Sequence, residues 1–265
     1  MHMSKSSRIV RTAVLALAIC LSIAGWLARG SRANVGSAAA PVAASFLSAV
    51  EGDSEAARQE KKAEEAFKNI QVLKGAPASQ VMGAMTKIAS WLGTDCAHCH
   101  VPGEFDKDEK QPKQVARTMF KMVRTIGTEL STSKVTCYTC HRGHVEPERM
   151  PEAMRAKADE DNKKAEEDKR PVEEAYKNIK TLKGITAGRL MATMNNFTRS
   201  LGVNCDFCHV VGAFDSDEKP NKLTARKMLA MTAVVAKEYF NGRGRINCYM
   251  CHRGQKEPIS MPPPQ

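Results

Sequence analysis

Apolar residues recur at helical spacing in two stretches of the chain, residues 79–91 and 187–200. This spacing places the apolar side chains on one face of an α-helix, and it predicts an amphipathic helix in each stretch. Ser79 and Thr186 are predicted N-caps, because a side-chain hydroxyl there can accept a hydrogen bond from the first turn. A second helix is predicted after each of these, at residues 113–130 and 222–239. No stretch shows a strand pattern, so the sequence predicts a mainly α fold with little or no sheet.

A longer apolar run, residues 13–27, follows three basic residues near the N-terminus. A positive segment before an apolar run too short for a confident membrane span is typical of a secretory signal peptide. We interpret residues 1–33 as a signal peptide or a retained N-terminal membrane anchor. Cys20 lies in the apolar run, either as an ordinary apolar residue or as a lipoprotein cysteine. Residues 34–65 are interpreted as a tether, flexible over its Gly-, Ala- and Ser-rich part.

The rest of the chain is an internal repeat. The sequence Phe-Lys-Asn-Ile at 67–70 returns as Tyr-Lys-Asn-Ile at 176–179, and Leu-Lys-Gly at 73–75 returns at 182–184. A segment rich in charged residues and alanine separates the two copies and is interpreted as a solvated helix or a mobile linker. The predicted organisation is a first half at 66–151, a charged linker at 152–171 and a second half at 172–265.

Each half contains two copies of the motif C-x-x-C-H. The four motifs lie at residues 96–100, 137–141, 205–209 and 248–252. This motif is the attachment signal of a c-type haem, in which two thiols bond to the porphyrin and the adjacent histidine binds the iron. The four motifs use eight of the nine cysteines. In every motif a histidine directly follows the second cysteine. Paired zinc fingers, thioredoxin-like sites and disulfide frameworks do not account for these four histidines.

The sequence therefore predicts four covalently bound haem c groups, with two per half. The predicted attachment residues are Cys96, Cys99, Cys137, Cys140, Cys205, Cys208, Cys248 and Cys251. The predicted proximal iron ligands are His100, His141, His209 and His252.

Methionine is the predicted ligand on the opposite face of each iron, because too few other histidines remain. A pair of methionines spaced i, i+3 precedes each motif, and such a pair lies on one face of a helix. The pairs are Met82 and Met85, Met119 and Met122, Met191 and Met194, and Met228 and Met231. At least one member of each pair is expected to bind iron, and the alternative is that they pack around the porphyrin. Composition leaves open which member it is.

The charge of the chain changes once export and haem are considered. The formal net charge of +11 would suggest a nucleic acid or an acidic membrane surface as partner. The first 33 residues contain five basic residues and no acid, so their removal leaves +6. Four haems would add about eight propionate charges of opposite sign. We therefore expect no nucleic-acid partner. Aromatic residues are only 5% of the chain, so haem is expected to complete the core.

Several stretches resemble the tetrahaem cytochrome c subunit of bacterial photosynthetic reaction centres. These are Leu-Lys-Gly at 182–184, Ala-Thr-Met at 192–194, Ala-Arg-Lys-Met at 225–228 and Val-Thr-Cys-Tyr-Thr-Cys-His-Arg-Gly at 135–143. The resemblance covers roughly residues 69–150 and 178–262. It implies a helical multihaem cytochrome c built from two pseudo-equivalent two-haem halves.

The resemblance also implies which methionines bind iron. The family pattern uses the second methionine of the first helix and the first methionine of the second helix. Carried onto this chain, the distal ligands are Met85, Met119, Met194 and Met228. The well-studied members also have one haem with two histidine ligands, and the second of these lies in a loop equivalent to residues 131–136. That loop lacks histidine here, so a His/Met haem is expected, with His144 as a remote substitute.

The function predicted first is electron relay outside the cytoplasmic membrane, by an electron carrier rather than an enzyme. The resemblance implies that it re-reduces a photo-oxidised chlorophyll pair, with a reaction centre as a membrane-associated partner. A respiratory or extracellular relay between other donor and acceptor proteins is the alternative. A multihaem reductase would need an open iron position, whereas every motif here has candidate methionine partners. The expected location is the periplasmic face of the membrane or the cell envelope.

Overall fold

The computed structural model describes residues 60–244 and 246–263. The predicted signal peptide or anchor at 1–33, including Cys20, lies outside the described residues, as does most of the tether at 34–65. Within the described ranges, no helix is both long enough and apolar enough to cross a membrane.

The described residues confirm the mainly helical prediction. They form α1 (Ala63–Ala66), α2 (Ala78–Leu92), α3 (Cys96–Cys99), α4 (Gln111–Leu130), α5 (Cys137–His141), α6 (Glu152–Ala165), α7 (Val172–Ala175), α8 (Ala187–Leu201), a 3-10 turn (Cys205–Phe207), α9 (Pro220–Tyr239) and α10 (Cys248–His252). The β-type pairing found in these ranges consists of isolated bridges, such as Lys62 with Pro77 and Pro171 with Thr186. No sheet forms among the described residues.

The observed helix starts differ in part from those predicted by the apolar pattern, because capping groups and prolines also determine where a helix begins. Thr186 caps α8 as predicted, and its hydroxyl accepts a hydrogen bond of 3.2 Å from the Arg189 amide. The prediction for Ser79 is wrong, because α2 already begins at Ala78 and Ser79 donates its backbone N–H to Glu60 Oε1 at 2.9 Å. Both long helices begin two residues earlier than predicted. Each has a proline in its first turn, where a fixed φ favours helix initiation.

The long helices α4 and α9 pack against each other and form the core that joins the two halves. Its buried centre consists of Met122 and Ile126 from α4 with Met231 and Val235 from α9. These residues occupy equivalent positions in the two copies of the repeated sequence. The two halves therefore meet through equivalent faces of two equivalent helices, α4 and α9.

The charged segment after the first half forms α6, and α6 packs against α8. Arg199 Nη1 lies 2.6 Å from Asp161 Oδ2, and Asp161 is buried at 9% exposure. Arg189 Nη1 donates to Asn162 Oδ1 at 2.7 Å. The sequence leaves a solvated helix or a mobile linker open for this segment. The structure forms the helix, and its packed face is held by polar partners that composition alone does not reveal.

A glycine ends each of the first helices and brings two backbone segments together. Gly93 and Gly202 are left-handed, at φ of 61° and 62°. A Cβ added to Gly93 would lie 2.0 Å from the Gly143 carbonyl oxygen, and one at Gly202 would lie 2.1 Å from that of Gly254. The Gly143 and Gly254 amides in turn donate at 2.8 Å to the carbonyl groups of Trp91 and Ser200. Helices α2 and α8 thus each contact the end of the second motif of their half through backbone atoms.

Candidate haem sites

Each C-x-x-C-H motif folds into one short helical turn: α3, α5, the 3-10 turn and α10. Residues three apart in such a turn face the same side, so the two thiols of each motif are adjacent. Side chains fix two of these turns at their starts. Asp95 Oδ1 accepts a hydrogen bond of 3.0 Å from the His98 amide, and Asn247 Oδ1 accepts one of 3.0 Å from the Met250 amide. His98 therefore contributes to its turn through its backbone N–H, which donates this hydrogen bond.

The four motif histidines share one orientation. In each, ring atom Nδ1 lies 3.0 Å from a backbone carbonyl oxygen a few residues later. The pairs are His100 with Phe105, His141 with His144, His209 with Phe214, and His252 with Gln255. Because a carbonyl oxygen can only accept, Nδ1 is the nitrogen that donates, and in the neutral ring Nε2 then keeps its lone pair. This is the orientation of a metal-binding histidine with its second nitrogen held by the protein. The four imidazoles and their adjacent thiols therefore fit covalently attached haem.

A cavity of about 560 Å³ lies beside the first motif of the second half. Its volume is within the usual range of about 300–1,000 Å³ for cofactor and ligand sites. Cys205, Cys208 and His209 line it, together with Met194 from α8 and Leu229 from α9. Apolar side chains form most of the remaining wall, as an apolar porphyrin requires. The cavity thus lies between the motif and helices α8 and α9.

The methionine pairs separate by burial. In α4 and α9, Met122 and Met231 are each only 8% exposed within the central core, while Met119 and Met228 are half-buried at its edge. In α2 and α8, Met82 and Met191 are 62% and 48% exposed, while Met85 and Met194 are half-buried. The four predicted ligands thus share an intermediate burial, between the exposed and the core methionines. His144, the remote substitute, has an exposed side chain.

Burial shifts the pKa of several motif groups. It raises the pKa of the Cys99, Cys137, Cys208 and Cys248 thiols. Cys251 is the exception, because its hydrogen bond with Cys140 lowers the pKa of the Cys251 thiol. Burial lowers the pKa of the His141 and His252 imidazoles, which favours the neutral form that binds metals.

The second motifs of the two halves meet at the join between α5 and α10. The sulfur atoms of Cys140 and Cys251 lie 2.9 Å apart. Arg142 Nη2 donates to the Cys251 carbonyl at 3.2 Å, and Arg253 Nη2 donates to the Cys140 carbonyl at 3.0 Å. Each arginine follows the histidine of its own motif and contacts the motif of the other half. Arg253 also pairs with Glu148 at 2.8 Å.

A second repeated contact supports the loop after the first motif of each half. Arg117 Nη1 lies 2.9 Å from Asp108 Oδ2, and Asn69 Nδ2 donates to Asp108 Oδ1 at 2.9 Å. The Arg117 guanidinium and then the Asn69 amide hold the pKa of the Asp108 carboxyl well below its usual range. In the second half, Asp217 pairs with Arg226 at 2.9 Å, and the same cause lowers its pKa.

These carboxylates should make stability depend on acid pH. A carboxyl whose pKa is lowered by folding stabilises the fold fully above its unfolded pKa of about 3.9, and that contribution is lost as the pH falls through the folded value. We expect Asp108→Asn and Asp217→Asn to be less stable than the unaltered chain at neutral pH, with the difference shrinking below about pH 4. Urea unfolding of the haem-loaded protein across this range measures it. A difference that stays constant with pH would contradict the assignment.

Sequence reasoning missed the contacts that hold these groups. The repeated dipeptides Arg142-Gly143 and Arg253-Gly254 were visible as part of the repeat, as were Asn69 and Asn178. Their repetition signals a role, but only the fold shows that the arginines reach across to the other half. The carbonyl groups that orient the histidines have no signal in the sequence, since every residue carries one.

The family model described as photosynthetic reaction centre cytochrome C subunit matches this chain at residues 30–163 and 148–261. The matches cover most of the chain, including all four motifs. The resemblance found in the sequence is thereby confirmed.

Individual relatives agree with this match. The photosynthetic reaction center cytochrome c subunit of Thermochromatium tepidum is 26% identical over an aligned length of 248 residues, and the match covers 75% of this chain and 61% of that protein. The subunit of the same name from Rubrivivax gelatinosus is 26% identical over 256 residues, with 75% and 68% covered. Cytochrome c-554 of Chloroflexus aurantiacus is 33% identical over an aligned length of 81 residues, and the match covers 28% of this chain. The chain spans less than two thirds of the length of the Thermochromatium protein. It belongs to the family of photosynthetic reaction centre cytochrome c subunits.

Proposed function

We propose that the chain is a tetrahaem c-type cytochrome that relays electrons outside the cytoplasmic membrane. The observation that carries this proposal is the shared orientation of the four motif histidines, each with Nδ1 bound to a carbonyl at 3.0 Å. Four such imidazoles, each beside two thiols, support four equivalent iron sites rather than one catalytic centre. The family match supports haem c as the cofactor.

In this proposal each motif holds its haem with two thioether bonds and one proximal ligand. The attachment residues are Cys96, Cys99, Cys137, Cys140, Cys205, Cys208, Cys248 and Cys251, and the proximal ligands are His100, His141, His209 and His252. The distal ligands are Met85, Met119, Met194 and Met228. Their half-burial supports the choice, because a distal ligand must be held by the fold and still face a cofactor.

Haem c supplies a reversible one-electron change at its iron when bound. The chain's own residues would keep a substrate from binding and reacting at that iron. Nε2 of each motif histidine would bind the haem iron, and a methionine sulfur as the second protein ligand would raise the reduction potential and leave no site for a substrate. The largely apolar wall of the cavity beside His209 would shield a porphyrin held there from water. The contact between α5 and α10 brings the second motifs of the two halves together.

The proposed acceptor is the photo-oxidised chlorophyll pair of a reaction centre, at the periplasmic face of the membrane. The names of the relatives from Thermochromatium tepidum and Rubrivivax gelatinosus support this partner. The N-terminus is proposed to direct export, as a signal peptide or an anchor. A respiratory or extracellular relay uses the same four sites and differs only in its partners.

Production of the chain in a bacterium that attaches haem c tests the central claim. We expect a mass increase of four haems, low-spin spectra for all four in both oxidation states, and no binding of carbon monoxide. The control replaces both cysteines of one motif, Cys205→Ala with Cys208→Ala, and should carry three haems. Fewer than four haems in the unaltered chain, or carbon monoxide bound to one haem in four, would overturn the proposal.

Flash excitation tests the partner. The haem-loaded chain is added to membranes that carry a reaction centre lacking its own cytochrome subunit. Oxidation of haem c after the flash, in step with re-reduction of the chlorophyll pair, is the expected result. Haems that stay reduced after the flash, but that a soluble respiratory acceptor oxidises in a separate assay, would assign the chain to the alternative relay.

A further inference from the structure

The carbonyl group that orients the first histidine of each half has a second donor. The Phe105 carbonyl accepts from His100 Nδ1 at 3.0 Å and from Lys113 Nζ at 2.9 Å. In the second half, the Phe214 carbonyl accepts from His209 Nδ1 at 3.0 Å and from Lys222 Nζ at 3.0 Å. One oxygen atom thus joins an imidazole to a lysine ammonium in both halves.

Both lysines are buried, which is unusual for this residue type. Lys113 and Lys222 are each 8% exposed, on the first turns of α4 and α9. A buried charge is costly unless it is paired and fully hydrogen-bonded. Lys113 also donates to the Lys107 carbonyl at 2.7 Å and lies 3.0 Å from Asp108 Oδ1. These contacts fix the ammonium at the end of the loop that follows the motif.

Lys222 has the same surroundings. It donates to the carbonyl groups of Asp215 at 3.1 Å and Ser216 at 2.8 Å, and it lies 3.1 Å from Asp217 Oδ1. The recurrence in both halves shows that the arrangement does not depend on one local packing accident. By contrast, the hydrogen bonds of the described residues place no lysine on the His144 or Gln255 carbonyl, which hold His141 and His252.

We infer that Lys113 and Lys222 raise the reduction potential of the first haem of each half. This rests on the haem attachment proposed above. A carbonyl that accepts strongly from Nδ1–H makes the imidazole more basic and stabilises ferric iron. A cation donating to the same oxygen draws away electron density and weakens that effect. Its positive charge also disfavours the extra charge of the ferric state. The negative charge of the adjacent aspartate partly cancels the effect of the lysine charge on the haem potential. The potential therefore lies between the values expected with the lysine alone and with neither charge.

Redox titration of the haem-loaded protein tests this inference. Lys113→Met should lower the potential of one component in four, so that its ferric-to-ferrous ratio at fixed potential rises about tenfold, or about 59 mV for one electron. Lys121→Met is the matched control, because it removes an exposed lysine from the same helix and should shift no component comparably. Lys222→Met, with Lys227→Met as its exposed control, repeats the test in the second half.

Asp108→Asn separates electrostatics from loosening of the loop. It leaves the lysine in place and removes the opposing charge, so it should raise the potential of the same component. Equal shifts for Lys113→Met and Lys121→Met would overturn the inference, as would a lowered potential in both Lys113→Met and Asp108→Asn. Haem content is measured in every variant. Four attached haems without the shift refute only the tuning role, whereas missing haems in the unaltered chain refute the proposed function.

Discussion

Gly202→Ala should cost about 2–5 kcal/mol of the free energy of unfolding. Two causes add. Alanine at a left-handed φ of 62° costs about 1–2 kcal/mol, because its Cβ crowds the following carbonyl. The new Cβ would also lie 2.1 Å from the Gly254 carbonyl oxygen, and neither backbone can yield easily. Denaturant unfolding of the haem-loaded protein, followed by haem absorbance, measures the loss.

Gly184→Ala is the matched control for this prediction. Gly184 is also left-handed, at φ of 75°, but a Cβ there meets no atom within 4 Å. Its substitution should cost only the conformational part, about 1–2 kcal/mol. The excess loss in Gly202→Ala then isolates the close approach between α8 and the end of the second motif. Equal losses at the two positions would show that the segments do not depend on that contact. Gly93→Ala extends the comparison to the first half.

Met194→Ala should convert one haem in four from low spin to high spin. Met194 lines the same cavity as Cys205, Cys208 and His209. If Met194 is the distal ligand proposed above, its removal would leave the sixth position of that iron open. The absorption band of methionine-bound ferric haem should lose about a quarter of its intensity, and carbon monoxide should bind one haem in four. These are large, discrete changes because a ligand is either present or absent.

Met191→Ala provides the comparison on the same helix. Met191 also lines the cavity but is 48% exposed, and it should leave all four haems low-spin. The first half offers the same pair of variants in Met85→Ala and Met82→Ala, of which Met82 is 62% exposed. A high-spin haem in Met191→Ala rather than Met194→Ala would reverse the ligand assignment. Low-spin haems in both variants would make the methionines packing residues.

The elements of this fold follow from its sequence more readily than their contacts do. Apolar spacing located α2, α4, α8 and α9 within about two residues, because a helix buried on one face needs a periodic pattern. The motif C-x-x-C-H located the candidate haem sites, because its chemistry lies within five neighbouring residues. Ser79 failed as a cap because Ala78 already follows a proline that starts the helix.

Contacts between distant segments were not predictable in this way. Lys113 and Lys222 read as ordinary charged residues at helix starts, and their burial depends on a loop whose path the sequence does not encode locally. Asp161 similarly looks like one charge among many in α6, yet it pairs with Arg199 on α8. In both cases the partner lies on another element, and a charge can be buried only where the fold supplies that partner.

The reciprocal contact of Arg142 and Arg253 has a consequence for the origin of the chain. Arg142 donates to the Cys251 carbonyl, and Arg253 donates to the Cys140 carbonyl, which is the equivalent group of the other half. Met122 and its equivalent Met231 likewise lie in one buried cluster. An interface in which residue i contacts j and j contacts i is the isologous type found in twofold homodimers. The residues that make these reciprocal contacts recur in each half. A chain of half this length could pair with its own copy, and gene fusion would then preserve the assembly while each half diverged.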